Sequence, residues 1–288
     1  MEHCDILIIG SGAAGISAAK TVAQENANIW LVDAKKTMGG ILQQCFHHGF
    51  SHGLSGPEYV QMLLENFPKN VHLFLDTTVI SISKGRVAQL IGPTLGSIML
   101  SFKQVIVATG CYEIPIGALT IAGTRPDGIY TAGQMQEMMN LFGDIPRGPA
   151  VVLGGGDLGL IMAEQLGRLN LDVTIVEKGV CSKALHRNQK CLSKPNIRLL
   201  CNQTIDEVFG WPNLEGVRLS SGEYVSCQVL LIAVGMRPER TLVEQLFTMP
   251  WVHLCGNCLT IHSMVETVVA EGQKVGRDVL YQCRKDYD

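Results

Sequence analysis

Two segments of this chain carry the glycine spacing G-x-G-x-x-G, each set between an apolar run and an Ala- or Leu-rich stretch. The first is Gly10-Ser11-Gly12-Ala13-Ala14-Gly15, which follows Asp5-Ile6-Leu7-Ile8-Ile9. The second is Gly154-Gly155-Gly156-Asp157-Leu158-Gly159, which follows Ala150-Val151-Val152-Leu153. Each leads on to a second apolar run that ends in an acid, Trp30-Leu31-Val32-Asp33 and Val173-Thr174-Ile175-Val176-Glu177, at the same offset from its first glycine. In such a strand-turn-helix unit the first glycine makes the tight turn and the second leaves the backbone open to a pyrophosphate. The third lets the helix pack close to the sheet. The helix N-terminus offers unbonded N–H groups and a positive dipole end to phosphates. The acid accepts hydrogen bonds from a ribose diol. One copy is a weak signal; two copies in matching contexts predict two dinucleotide sites on two Rossmann-like α/β domains.

The bulk properties agree with this class. The 288 residues are 47% hydrophobic and 17% charged, enough to bury the cores of two domains. A formal net charge of -3 argues against nucleic acid or an anionic membrane surface as partner. Met1-Glu2-His3-Cys4 enters the first strand almost at once, so no N-terminal signal is expected, and no apolar run reaches transmembrane length. The ten cysteines are scattered rather than clustered, which points to thiols in a cytoplasmic protein rather than a disulfide framework.

Along the chain, short strands are expected at 71–75, 78–82 and around 97–100. Two late strands end in small residues, Gln104 to Ala108-Thr109-Gly110 and Gln228 to Ala233-Val234-Gly235. Small residues there let the chain pass close to a bound dinucleotide. A helix is expected after Ser55-Gly56-Pro57-Glu58, with proline in the first turn. A last helix is expected over about 262–272, capped by Ser263 with Glu266 three residues on. The order of the units places the second domain inside the first, with 1–111 and 246–288 expected to form one dinucleotide-binding domain and 112–245 the other.

These residues resemble the flavoproteins with two dinucleotide-binding domains, the superfamily of thioredoxin reductase and glutathione reductase. The resemblance implies FAD contacts from Gly10, Gly12, Ala14, Gly15, Asp33, Gly40, Val79, Ala108, Thr109, Gly110, Gly256 and Asn257. It implies NAD contacts from Gly154, Gly156, Asp157, Gly159, Glu177 and Gly235. Cys255-Gly256-Asn257 stands where the superfamily has Gly-Asp, so Asn257 replaces an acid beside the flavin ribityl chain. The last helix would aim its positive end at the flavin. A narrower resemblance lies in Gly39-Gly40-Ile41-Leu42-Gln43-Gln44-Cys45-Phe46-His47-His48-Gly49-Phe50, Gly123-Thr124-Arg125-Pro126 and Cys255-Gly256-Asn257 with His262. These are similar to bacterial flavoprotein subunits that accompany glycerol-3-phosphate-, opine- or hydroxyproline-dehydrogenase-like proteins. Such subunits exchange electrons between NAD(H) and a partner subunit or small acceptor, within a multi-subunit amine, amino-acid or polyol dehydrogenase. The alternatives are a stand-alone NADH:acceptor reductase and an FAD-holding subunit without turnover. A homo- or hetero-oligomer is in keeping with the same resemblance. No Cys-x-x-Cys occurs between Pro115 and Val225, and only Cys45 lies near Gly39-Gly40, which argues against disulfide reduction.

Two thiol groups carry alternatives. Cys45 is either an acceptor-facing redox group, its pKa lowered by His47 or His48, or a packing thiol; the residues favour packing. His47 is either a proton carrier or an ordinary packed ring. Cys255-Gly256-Asn257-Cys258 is a redox disulfide, a half-set of metal ligands, or two packing thiols. No second closely spaced pair completes the roughly four ligands that zinc or a cluster needs, so no metal is expected. Glu177 favours the 2′-hydroxyl of NAD over the 2′-phosphate of NADP, with Lys178 and Lys183 opposing it.

Overall fold

The computed structural model describes residues 2–24 and 27–285. They divide into two compact units, Met1–Tyr112 with Arg237–Asp288, and Glu113–Met236.

The first unit is built on strands β1 (Glu2–Ile9), β2 (Ile29–Val32), β3 (Val71–Phe74), β4 (Thr78–Ile82), β5 (Val87–Gly92), β6 (Gly96–Val107) and β18 (Val252–Leu254). Among the described residues they form a seven-stranded sheet in the order β3-β2-β1-β6-β5-β4, with β18 also on β6. The set β3, β2, β1, β6 and β18 is parallel, while β5 runs antiparallel along the first half of β6 and β4 antiparallel along β5. Strand β2, the second half of β1 and the end of β6 are buried on both faces, which is why they read as continuous apolar runs. Ile6 and Ile8 face the layer of helices α1 (Ala13–Val22), α2 (Gly56–Leu64) and α6 (Val265–Lys285). Leu7 and Ile9 face the opposite layer with Leu90, Phe102, Val243, Leu246 and Trp251.

The second unit repeats the plan with β8 (Ala122–Gly123), β9 (Ile129–Thr131), β10 (Ala150–Leu153), β11 (Val173–Glu177), β12 (Ile197–Cys201) and β16 (Val229–Ile232). A parallel sheet runs β12-β11-β10-β16-β9. Helices α3 (Ala132–Glu137), α4 (Asp157–Arg168) and α5 (His186–Gln189) also belong to this unit. Met135 and Leu160 lie in the core cluster on one face of the sheet. A second sheet of β13 (Ile205–Phe209), β14 (Gly216–Leu219), β15 (Tyr224–Ser226) and β8 covers the other. The connecting strands are β7 (Cys111–Glu113) and β17 (Met236–Pro238).

Three expectations are corrected. Residues 237–245 belong with the first unit, because Glu239 N–H bonds to Gly110 O (3.0 Å) and Val243 and Leu246 are core residues there. The strand around 97–100 and the one beginning at Gln104 are a single strand, β6, whose two halves pair with different partners. The last helix begins at Val265 and runs to Lys285, so Ser263 stands two residues ahead of its first turn. The proline-started helix α2 does form, with Ser55 N–H and Oγ–H both donating to Glu58 Oε2 at 2.7 Å.

Candidate functional site

In each sheet a run of parallel strands descending in chain order breaks off at the strand that leads into a glycine motif, at β1/β6 in the first unit and β10/β16 in the second. The crevice at the carboxyl ends of such a pair is where open α/β sheets take ligands. Both glycine motifs begin there. Gly10 has φ +101, and a Cβ on it would lie 2.4 Å from Ala108 O at the end of β6. Gly154 has φ +116, and its Cβ would lie 2.3 Å from Ala233 O. A Cβ on Gly15 would strike Gly10 O at 1.8 Å, and one on Gly159 would strike Gly154 O at 2.0 Å. These four glycines are therefore demanded by the chain's own packing. Gly12 and Gly156 are different. Both have extended backbone that any residue adopts, and a Cβ on either meets no atom of the chain within 4 Å. Nothing in the protein requires glycine at these two positions, whereas a pyrophosphate crossing the helix N-terminus does. The first intrahelical bonds run from Ile16 N–H to Gly12 O (2.9 Å) and from Leu160 N–H to Gly156 O (3.0 Å), leaving the first-turn N–H groups for an anion.

The acids are held the same way in both copies. Asp33 Oδ2 accepts Ser11 N–H and Ser11 Oγ–H, each at 2.6 Å, and Oδ1 accepts Lys35 N–H at 2.8 Å. Glu177 Oε2 accepts Gly155 N–H at 2.6 Å and Oε1 accepts Gly179 N–H at 2.7 Å. The copies differ by compensating atoms. A Cβ on Gly155 would sit 3.0 Å from both Glu177 Cβ and Oε2. The longer acid takes the space that Ser11 fills beside the shorter one. Sequence reasoning passed over this pairing, although Ser11 with Asp33 against Gly155 with Glu177 was readable by aligning the two copies.

The other expected FAD residues gather around the first crevice. Gly39 N–H bonds to Ser11 O (2.8 Å), and a Cβ on Gly40 would lie 3.2 Å from Gly12 Cα. Thr109 Oγ–H donates to Glu239 O, and Gly110 has φ +79. Gly256 has φ +72, and a Cβ on it would lie 2.8 Å from Ala14 Cβ. Ala14 is thus small because the Gly256 turn and α6 press on it. Val79 packs its side chain into the core layer, so it offers only backbone. Its strand starts beside Asp33, whose carbonyl accepts Thr77 N–H (2.9 Å). Asn257 Oδ1 accepts His262 N–H at 3.0 Å, and Asn257 Nδ2 lies 3.7 Å from Cys111 Sγ. In the second unit, Asp157 Oδ1 accepts Leu185 N–H (2.8 Å) and Asn188 Nδ2–H (2.6 Å), so it also holds the segment leading into α5. Gly235 has φ +136, and its carbonyl accepts Ile114 N–H (3.1 Å).

The thiols are disposed for packing. Cys45 is buried, donates to Ile41 O (3.3 Å) and lies against Gly56, whose Cβ would approach Cys45 Cβ at 3.0 Å. His47 is half-buried and stacks near Phe50 with ring centroids 5.0 Å apart. Cys255 faces the helix layer, whereas Cys258 faces the opposite core, so the two side chains diverge across the sheet. Burial raises the pKa of both. It pushes Cys4 and Cys227 up to about 12. Among the described residues no three His, Cys, Asp or Glu side chains converge as metal ligands, and no helix is long and apolar enough to cross a membrane.

The chain is 25% identical over 255 residues to the NADH oxidase of Methanocaldococcus jannaschii, covering 83% of this chain and 56% of that protein. It is 30% identical over 189 residues to an opine oxidase subunit of Agrobacterium tumefaciens, covering 61% of this chain and 37% of that one. It thus spans little more than half, and about a third, of these two curated relatives. Its fold matches the crystal structure of thioredoxin reductase from T. acidophilum, with a TM-score of 0.80 over 98% of this chain and 99% of that one at 19% identity. Residues 4–250 match the pyridine nucleotide-disulphide oxidoreductase family, whose members bind FAD and use NAD(P)H. With two fingerprints at two strand-order breaks and this match over most of its length, the chain belongs to the pyridine nucleotide-disulphide oxidoreductase family.

Proposed function

We propose that this chain is a cytoplasmic, FAD-dependent oxidoreductase that passes electrons between NAD(H) and a second acceptor, a partner dehydrogenase subunit or a small molecule. The observation that carries the reading is the pair of glycines, Gly12 and Gly156, that the fold does not need and a dinucleotide does. The first unit would hold FAD through Gly10 to Gly15, Asp33, Gly40, Thr109, Gly110, Gly256 and Asn257. The second would hold NAD(H) through Gly154 to Gly159, with Glu177 on the adenosine ribose. Bound FAD supplies a two-electron carrier between nicotinamide and acceptor. The residues bind and orient; Cys255 and Cys258, in opposite cores, are not placed as a relay pair. The scattered thiols fit a reducing compartment.

The reading with a partner is favoured by likeness to a protein named as one component of an opine oxidase. The stand-alone reading is favoured by likeness to NADH oxidase over 83% of the chain. Steady-state NADH oxidation with a dye acceptor separates the two. Slow turnover that a co-purifying dehydrogenase accelerates supports the reading with a partner. Rapid turnover by the isolated chain supports the stand-alone enzyme. No NADH oxidation in either setting contradicts both.

A further inference from the structure

One carboxylate outside both glycine motifs controls the turn that ends the first crevice. The Cys255–Asn257 turn lies at the carboxyl ends of β6 and β18, where Cys255 N–H bonds to Val107 O (3.0 Å) and Gly256 lies against Ala14. Glu271, one helical turn and more into α6, reaches back to it. Its Oε2 accepts Gly256 N–H at 2.6 Å and is 3.1 Å from His262 Nε2. The Glu271 and His262 side chains are only 21% and 16% exposed, so this contact is sheltered from solvent. His262 in turn gives its backbone N–H to Asn257 Oδ1. A backbone N–H can only donate, so this bond fixes which way the amide faces. The Asn257 oxygen is engaged, and of its NH2 group one N–H is directed at Cys111 Sγ (3.7 Å), so the second is the one to donate elsewhere.

We propose that Glu271 is a positioning residue for the dinucleotide of the first unit. Through Gly256 and His262 it holds the Asn257 amide with its NH2 group toward an acceptor oxygen of the bound cofactor. The inference rests on the FAD reading above and deepens it. An aspartate at this position would present only acceptors; this chain presents a donor, and Glu271 keeps it in place. The carboxylate is taken up by Gly256 N–H and His262 Nε2. Its effect on binding would therefore pass through the Gly256–Asn257 turn, and the part carried by Asn257 sets it apart from a residue that only steadies α6.

A double-mutant cycle tests this, read as the Kd for FAD from fluorescence quenching on adding FAD to the deflavinated full chain. Glu271→Ala is expected to weaken FAD binding about tenfold or more, as for loss of a hydrogen bond to a charged group. Glu271→Gln, whose amide oxygen still accepts from Gly256, is expected to recover most of the affinity. In an Asn257→Ala background, Glu271→Ala is expected to cost less than about twofold further, because coupled residues do not add. Should Glu271→Ala not fold, Glu271→Gln takes its place in the cycle, with a smaller loss that again vanishes without Asn257. Additive losses, or an unchanged Kd in Glu271→Ala, overturn the proposal. A wild-type chain that takes up no FAD overturns the FAD reading and this inference with it.

Discussion

At the scale of single residues, each fingerprint divides by cause. Gly10 and Gly15, with Gly154 and Gly159, answer to contacts of 2.4 Å or less with backbone oxygens of the same unit. Gly12 and Gly156 answer to nothing in the chain. Gly12→Val is therefore expected to leave the apo protein as stable as wild type while abolishing FAD retention through the blocked pyrophosphate path. Denaturation midpoint and flavin content of the purified variant check the two halves. The trade between Ser11 with Asp33 and Gly155 with Glu177 gives a sharper expectation. Gly155→Ser forces a Cβ to within 3.0 Å of Glu177, and overpacking of this kind costs roughly 1–3 kcal/mol. NAD(H) binding should weaken about tenfold, read by calorimetry. The double variant Gly155→Ser/Glu177→Asp copies the first unit and should return to within about twofold of wild type, since the two positions are coupled.

At the scale of elements, α6 packs on α1 through two glycines. A Cβ on Gly272 would lie 2.3 Å from Ala14 O, and one on Gly276 2.8 Å from Thr21 Cβ. Alanine in a helix interior is ordinarily better than glycine by about 1 kcal/mol. Here the clash with backbone outweighs that gain, at roughly 1–3 kcal/mol. Gly272→Ala should lower the urea midpoint, whereas Gly167→Ala in α4, which meets side-chain atoms alone (Ile197 Cδ1 at 2.8 Å and Cγ1 at 3.1 Å, Asn196 Nδ2 at 3.6 Å), should change it little. The helices were legible where caps and prolines announced them: Ser55-Gly56-Pro57-Glu58 starts α2. The Thr131…Gln134 spacing, which starts α3 with Thr131 N–H on Gln134 Oε1 (2.9 Å), was readable but passed over. The glycines at 272 and 276 carry a packing signal, but which helix they meet depends on the sheet between β1 and β6. Strand β5 was missed although only Gln89 interrupts the apolar run of Val87–Gly92; its place is set by antiparallel pairing with β6. The divergence of Cys255 and Cys258 was invisible in the Cys-x-x-Cys spacing, because it follows from the turn leaving β18. Cys45→Ser, Cys255→Ser and Cys258→Ser should each leave flavin reduction by NADH within a few-fold, a barrier change of about 1 kcal/mol or less. Uptake of about four electrons that either Cys255→Ser or Cys258→Ser lowers to two would reveal a redox disulfide instead.

At the scale of the whole molecule, one plan appears twice, and the two glycine motifs begin at the strand-order breaks of each sheet. That much was readable, because the motif, the acid and the late small-residue strand recur at matching places. The boundary near 237 was not, since Val243 and Leu246 reveal their core only once β6 and Trp251 are in place. The two acids would assign the second unit to NAD(H). A 2′-phosphate brought to within about 4 Å of Glu177 meets a repulsion of roughly 4 kcal/mol at an effective dielectric near 20, reduced by Lys178 and Lys183. The most direct test loads the full chain with FAD and mixes it anaerobically with NADH or NADPH at equal concentration, following loss of the oxidised-flavin absorbance. The account predicts one FAD per chain, reduced at least about tenfold faster by NADH, in line with that repulsion. Equal or faster reduction by NADPH, or no reduction by either nucleotide, would contradict it.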